Sequence, residues 1–82
     1  MKQFIVKDTI INLETKEVLY YFNGKDGYTH DFPQFADGWK LSIYAQKYIE
    51  KSMDAHYIEK LSCNVCIESK KWLHVYEIIE RD

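Results

Sequence analysis

The chain of 82 residues is short of the residues that break or staple a fold. It has one proline (Pro33), three glycines, two cysteines and a single arginine (Arg81). So little proline and glycine leaves no room for a linker or a low-complexity stretch. Two cysteines, spaced Cys63-Asn-Val-Cys66, do not make the disulfide framework of a small secreted domain. No window approaches the roughly 18 apolar residues of a membrane-crossing helix. At the start, Met1-Lys2-Gln3-Phe4-Ile5-Val6-Lys7-Asp8 returns to charge too soon for a leader's apolar region, so a cytoplasmic protein is expected, with no membrane contact. Eleven Lys and Arg against thirteen Asp and Glu give a formal net charge of −2. A generic electrostatic nucleic-acid binder needs a basic face, and that class is disfavoured.

What is present is an ordinary globular composition, 46% hydrophobic and 29% charged, enough for one domain spanning 1–82 with a modest core. Residues 3–13 are rich in β-branched side chains and predict a strand. A polar break at Glu14-Thr15-Lys16 leads into Val18-Leu19-Tyr20-Tyr21-Phe22, a second strand and hence an antiparallel hairpin, whose register stays open because both sides of the first strand are apolar. Asn23-Gly24-Lys25-Asp26-Gly27 is the clearest turn. From there to Asp37 the chain predicts an irregular excursion with at most a short extended piece, longer than most connections and so a candidate for interaction.

Ser42 is the expected N-cap of a helix, and Ala45, Tyr48, Ile49 and Met53 form its apolar stripe. The stripe can run on through His56, Tyr57 and Leu61, so an end near 53 and one near 60 both stand. Leu61–Ile67 and Trp72–Ile79, around a polar Glu68-Ser69-Lys70-Lys71, predict a second hairpin with Ile67 opposite Trp72. That register places Val65 opposite His74 and Cys63 opposite Tyr76 on the core face, and Leu73 and Val75 on the other. The expected fold is α+β, in the order β-β-α-β-β: a four-stranded antiparallel sheet with one helix on one face.

Among chemistry-bearing residues, Cys63 and Cys66 are half a zinc site, with His56 and His74 as conceivable partners. In a regular strand, residues three apart point to opposite faces, so the two thiols diverge and read better as small buried hydrophobes; a metal site is disfavoured. A thioredoxin-like pair precedes a helix, and this one sits in a hairpin. His74 is expected in or beside the core as a hydrogen-bonded neutral imidazole. His30 beside Asp31 suggests a general base with its carboxylate, against which stands the commoner solvated loop pair. Phosphate-binding glycine loops and calcium-loop carboxylates are missing. No cofactor is implied, and no catalytic constellation argues for an enzyme.

Aromatics rise above background at 16%, and Tyr20, Tyr21, Phe22, Tyr28, Phe32, Phe35 and Trp39 crowd into one stretch. Tyrosine and tryptophan suit contact surfaces because they offer large rigid area with a polar tip. A folded-over second core is the equal alternative. Single-stranded nucleic-acid platforms also use aromatics, but they need interleaved cations, and residues 20–39 hold only Lys25.

The opening Phe4-Ile5-Val6, the Tyr20-Tyr21-Phe22 strand, the Gly27-Tyr28 turn, the Ala45-x-x-Tyr48-Ile49 helix and the closing Val75-Tyr76-Glu77-Ile78-Ile79 together resemble the layout of small orphan proteins of bacteriophages and Gram-positive mobile elements. The resemblance implies a non-enzymatic binder, of the kind that includes inhibitors of host defence, and carries over no functional residue. The leading expectation is a protein-binding protein that acts by occluding a partner's surface. Tyr21, Tyr28, His30, Phe32, Trp39, Leu73 and Val75 are its candidate contact residues. The alternatives are a small ligand-binding or enzymatic domain using the 28–39 loop, and a self-associating module such as a homodimer.

Overall fold

The computed structural model describes residues 2–55 and 58–82. Its strands are β1 (Gln3–Asn12), β2 (Val18–Asn23), β3 (Thr29–His30), β4 (Ile58–Ser62), β5 (Val65–Glu68) and β6 (Trp72–Arg81), and its one described α-helix is α1 (Ser42–Asp54). The strands form one antiparallel sheet in the order β3-β2-β1-β6-β5-β4. The α+β class stands, but the four-stranded sheet is overturned: there are six strands among the described residues. Both additions come from local turns. Asp26 accepts the Tyr28 N–H at 3.0 Å through Oδ1, and its Oδ2 lies 2.8 Å from His30 Nε2. Together with Gly27 at φ +80°, this folds Thr29–His30 back along Phe22 and Asn23. At the other end, the stretch read as one strand turns at Cys63–Asn64, and β4, which begins before that stretch at Ile58, pairs back along β5.

The hairpin registers follow from their turns. In the first, Asn12 Oδ1 accepts the N–H groups of Glu14 and Thr15 at 2.9 and 3.2 Å, and Lys16 takes the left-handed conformation (φ +67°). This sets Ile11 opposite Val18 and Val6 opposite Asn23. The expected register of the second hairpin is wrong by one residue. Ile67 faces Leu73 and Glu68 faces Trp72, because Ser69 and Lys70 both adopt positive φ and Lys71 N–H closes onto the Glu68 carbonyl at 3.1 Å. A slip of one residue moves a whole strand to the other face. Cys66 therefore sits opposite His74 on the core side, while Val65 joins Leu73 and Val75 on the far side.

Ala45, Ile49 and Met53 of α1 are fully buried against Val6, Cys66 and Tyr76, with Phe4, Trp39, Tyr48 and Ile78 packed around them. The helix ends at Asp54, where the Ala55 N–H still reaches the Lys51 carbonyl. His56 and Tyr57 lie outside the described residues. Ser42 is the first helical residue and not the cap: Leu41 holds the cap position in extended conformation, without a side-chain bond. No described helix is long and apolar enough to cross a membrane.

The segment between β3 and α1 crosses the end of the sheet. Trp39 and Phe4 exchange both backbone hydrogen bonds at 2.8 Å, so Trp39 takes the place beside β1 that β2 vacates after Asn23. The approach is too close for a side chain at Gly24, where a Cβ would lie 2.1 Å from the Asp37 carbonyl oxygen. The Arg81 guanidinium donates to the Pro33 carbonyl and, at 2.8 Å, to Gln3 Oε1. Ile5 and Ala36, both buried, lie outside the helix-side cluster. The crossing thus closes one end of the face opposite the helix.

Candidate functional site

Two features of the sheet stand out, a polar cluster under the helix and an uncovered apolar half beyond it. The cluster lines a cavity of about 230 Å³ formed by Asp8, His74, Tyr76, Cys66 and Glu68 on the sheet, Tyr48 and Ser52 on α1, and Asn23 and Thr29 at the side. His74 Nδ1 is 3.1 Å from both oxygens of Asp8, and its Nε2 is 3.3 Å from Glu68 Oε1. Its ring stacks on Tyr76 at 5.8 Å. A carboxylate at each ring nitrogen favours the form of His74 that carries protons on both. The expected hydrogen-bonded histidine beside the core is found, and its two carboxylate neighbours favour the charged ring over the neutral one. Burial opposes the charge, but the hydrogen bond and field of Asp8, followed by those of Glu68, outweigh it, and the His74 pKa is raised.

Burial also pushes the phenols of Tyr76 and Tyr48 and the thiol of Cys66 upward, which keeps all three protonated at neutral pH. With a carboxylate at each ring nitrogen, the cluster has the arrangement of an ion-pair network. The two carboxylates stand at opposite ring nitrogens and share no ligand point. Among the described residues, no group of three or more His, Cys, Asp or Glu is arranged to hold a metal ion. Cys63 is exposed at the β4–β5 turn, while Cys66 is buried. Sequence reading missed Asp8 and Glu68. The available signal was Asp8 itself, a carboxylate at an alternating position between Val6 and Ile10.

The second feature follows from lengths. A helix of 13 residues spans about 20 Å, and a ten-residue strand about 34 Å. The end of the sheet near the two hairpin turns is therefore left bare by α1. On the helix side this end carries Ile10, Leu19, Tyr21 and Trp72, around a shallow hollow of about 220 Å³. On the other side the registers align Val18, Ile11, Leu73 and Ile67 in one row across four strands, and Tyr20, Thr9, Val75 and Val65 in the next. Lys7 reaches from the following row to lie 4.6 Å from the Tyr20 ring centre. The outer edge of β2 from Val18 to Tyr21 has no strand beside it among the described residues, since β3 pairs only with Phe22 and Asn23. Val18 and Tyr20 are 41% and 52% exposed.

The expected contact residues divide among these regions. Leu73 and Val75 lie together on the bare face opposite the helix, and Tyr21 lies on the bare part of the helix face. Trp39 is half-buried in the core, 5.2 Å from Tyr48. Tyr28 and Phe32 are exposed, at 70% and 56%, but Tyr28 belongs to the turn before β3 and Phe32 to the crossing segment, both at the opposite end of the sheet. His30 is held by Asp26, and Asp31 is not its partner. That hydrogen bond lowers the Asp26 pKa. The structure thus groups Leu73, Val75 and Tyr21 around the distal half and separates Tyr28, His30, Phe32 and Trp39 from them.

Comparison with protein-family models, with curated proteins and with solved structures returned no match.

Proposed function

We propose that this chain is a protein-binding domain whose distal sheet half enters a cleft in its partner. The observation that supports this reading is an apolar surface that continues from one face, round the free edge of β2, onto the other face. This half is a single sheet layer beyond the reach of α1, so it has the form of a thin wedge. Its tip is ringed by charge: Glu14, Lys16 and Glu17 on one turn, Lys70 and Lys71 on the other.

Area argues for a cleft over a flat partner. Four strands about 4.8 Å apart and two rows about 6.8 Å apart give about 260 Å² on the face opposite the helix. A stable interface takes about 800 Å² per side, so that face alone supplies about a third. The β2 edge and Ile10, Leu19, Tyr21 and Trp72 add to that surface, and only a partner that grips both faces covers them all. A second copy stacked face to face covers one. Occlusion of a partner's surface is also the mode that the resemblance to small phage proteins implies, with a host protein as partner.

The test is size-exclusion with light scattering on extracts of cells that make the protein. The wild type should elute in a larger species of defined stoichiometry, and Val75→Asp should return it to its 9.9 kDa mass with an unchanged circular dichroism spectrum. A complex that survives both Val75→Asp and Leu19→Asp overturns the proposal. A symmetric dimer of the pure protein would replace the cleft with a second copy.

A further inference from the structure

Independently of the wedge, we infer that a groove at the opposite end of the molecule binds a nucleoside phosphate, an aromatic heterocycle carrying an anionic tail. The groove runs between α1 and the Gly24–Gly27 turn, is open to solvent, and has a volume of about 620 Å³, the size of a small-molecule site. Trp39, Tyr44 and Tyr48 supply aromatic surface, and Lys25, Lys47 and Lys51 supply charge. None of the residues that line it is a carboxylate, in a chain whose formal net charge is −2.

The helix places these groups by its period. Tyr44 and Tyr48 are four residues apart, as are Lys47 and Lys51, so the pairs form adjacent stripes on one side of α1. Tyr44 is half exposed, with the Lys47 ammonium 6.0 Å from its ring centre. Trp39 and Tyr48, inclined at 41°, are fixed by the core. Lys25 lies 3.9 Å from Asp37, but both side chains are about half exposed, and a pair of that kind is too weak to hold the ammonium back from a multiply charged anion. An apolar ligand leaves three lysines unused, and a bare anion leaves the aromatics unused. A base stacked on the aromatics with its phosphates among the lysines uses both. Residues 20–39 contain one lysine, so the charge became visible only when α1 folded against that segment.

The ligand chemistry has two sources, a free nucleotide and a single strand. Titration of the isotope-labelled protein with adenosine triphosphate, with a ten-nucleotide single strand, and with adenosine or inorganic triphosphate alone, followed by NMR, separates them. The expected result is that the nucleotide shifts the amides of Trp39, Tyr44, Lys47, Tyr48 and Lys51 at about 1 mM or below, a weak but specific range. Neither half-molecule should bind as well, and the affinity should fall with added salt. Tyr44→Ala, and separately Lys47→Gln with Lys51→Gln, should each weaken binding about tenfold without moving the thermal midpoint. Tighter binding of the strand identifies a polymer as the source; equal or weaker binding identifies the free nucleotide. Inorganic triphosphate binding as tightly as the nucleotide overturns the assignment. So does shift confined to other residues, or affinity unchanged in both variants.

Discussion

Replacing His74 by glutamine tests the ion-pair cluster, because glutamine keeps a hydrogen-bond donor and removes the charge. The His74 and Asp8 side chains are each about one-tenth exposed, and Glu68 is under one-third exposed, so solvent screens the cluster only partly. Breaking a buried pair by removing one partner typically costs about 3–5 kcal/mol. With Glu68 partly wet and a donor retained, about 2–4 kcal/mol at pH 6 is expected. The pH dependence carries the sign. The His74 pKa is raised by folding, with burial opposing and Asp8 and Glu68 prevailing. Its contribution is therefore complete below the unfolded value of about 6.5 and declines as pH rises through the folded value. The assay is urea unfolding followed by tryptophan fluorescence from pH 5.5 to 9. The difference between wild type and His74→Gln cancels the other histidines, and it should be largest near pH 6 and shrink on going alkaline. Each 1.4 kcal/mol of shrinkage corresponds to about one unit of raised pKa. A gap that stays constant across this range, or that widens with pH, refutes an imidazolium between two carboxylates.

Three further outcomes follow from packing. Ile49→Ala should cost on the order of 2–4 kcal/mol, because Ile49 is fully buried under the helix. Lys47→Ala should cost well under ~1 kcal/mol; equal midpoints in urea would contradict the assigned helix face. Gly24→Ala drives a methyl into the Asp37 backbone and should lower the thermal midpoint more than Gly27→Ala, which meets open space and only the strain of φ +80°. Iodoacetamide should label exposed Cys63 in the native protein, and Cys66 only after unfolding, as mass spectrometry of timed samples would show; burial both shields the Cys66 thiol and raises its pKa.

The parts of the fold legible from residue order are those set by local periodicity. Ala45, Ile49 and Met53 marked the buried face of α1, and the alternation along β6 placed His74, Tyr76 and Ile78 on the core side with Leu73 and Val75 opposite. The second hairpin's register was hidden because Ser69 and Lys70 turn the chain at positive φ without a glycine or asparagine to signal it. Strand β3 is two residues long and exists through Asp26 and its contact with β2, so no run of β-formers announced it. Asp8 and His74 are 66 positions apart, and nothing local links them. For the aromatic stretch, side chains three or four apart went to different places: Trp39 into the core, Phe35 and Phe32 to solvent, Tyr21 to the bare half of the helix face. Their shared neighbourhood in sequence did not become one surface. The uncovered half follows instead from the mismatch between a 13-residue helix and ten-residue strands, a length comparison that needed the true strand ends.

The claim that the distal half is a protein-contact surface is tested most directly by photo-crosslinking from defined positions in cells that make the protein. A benzophenone amino acid at Val18 or at Val75 should each give an adduct with the same partner, since these residues sit at the edge and on the face of one wedge. The same probe at Glu50, on the wet side of α1, should give none, and Leu19→Asp should abolish both adducts. Adducts from position 50 equal to those from 18 and 75, or adducts from 18 and 75 that persist with Leu19→Asp in place, would contradict the account.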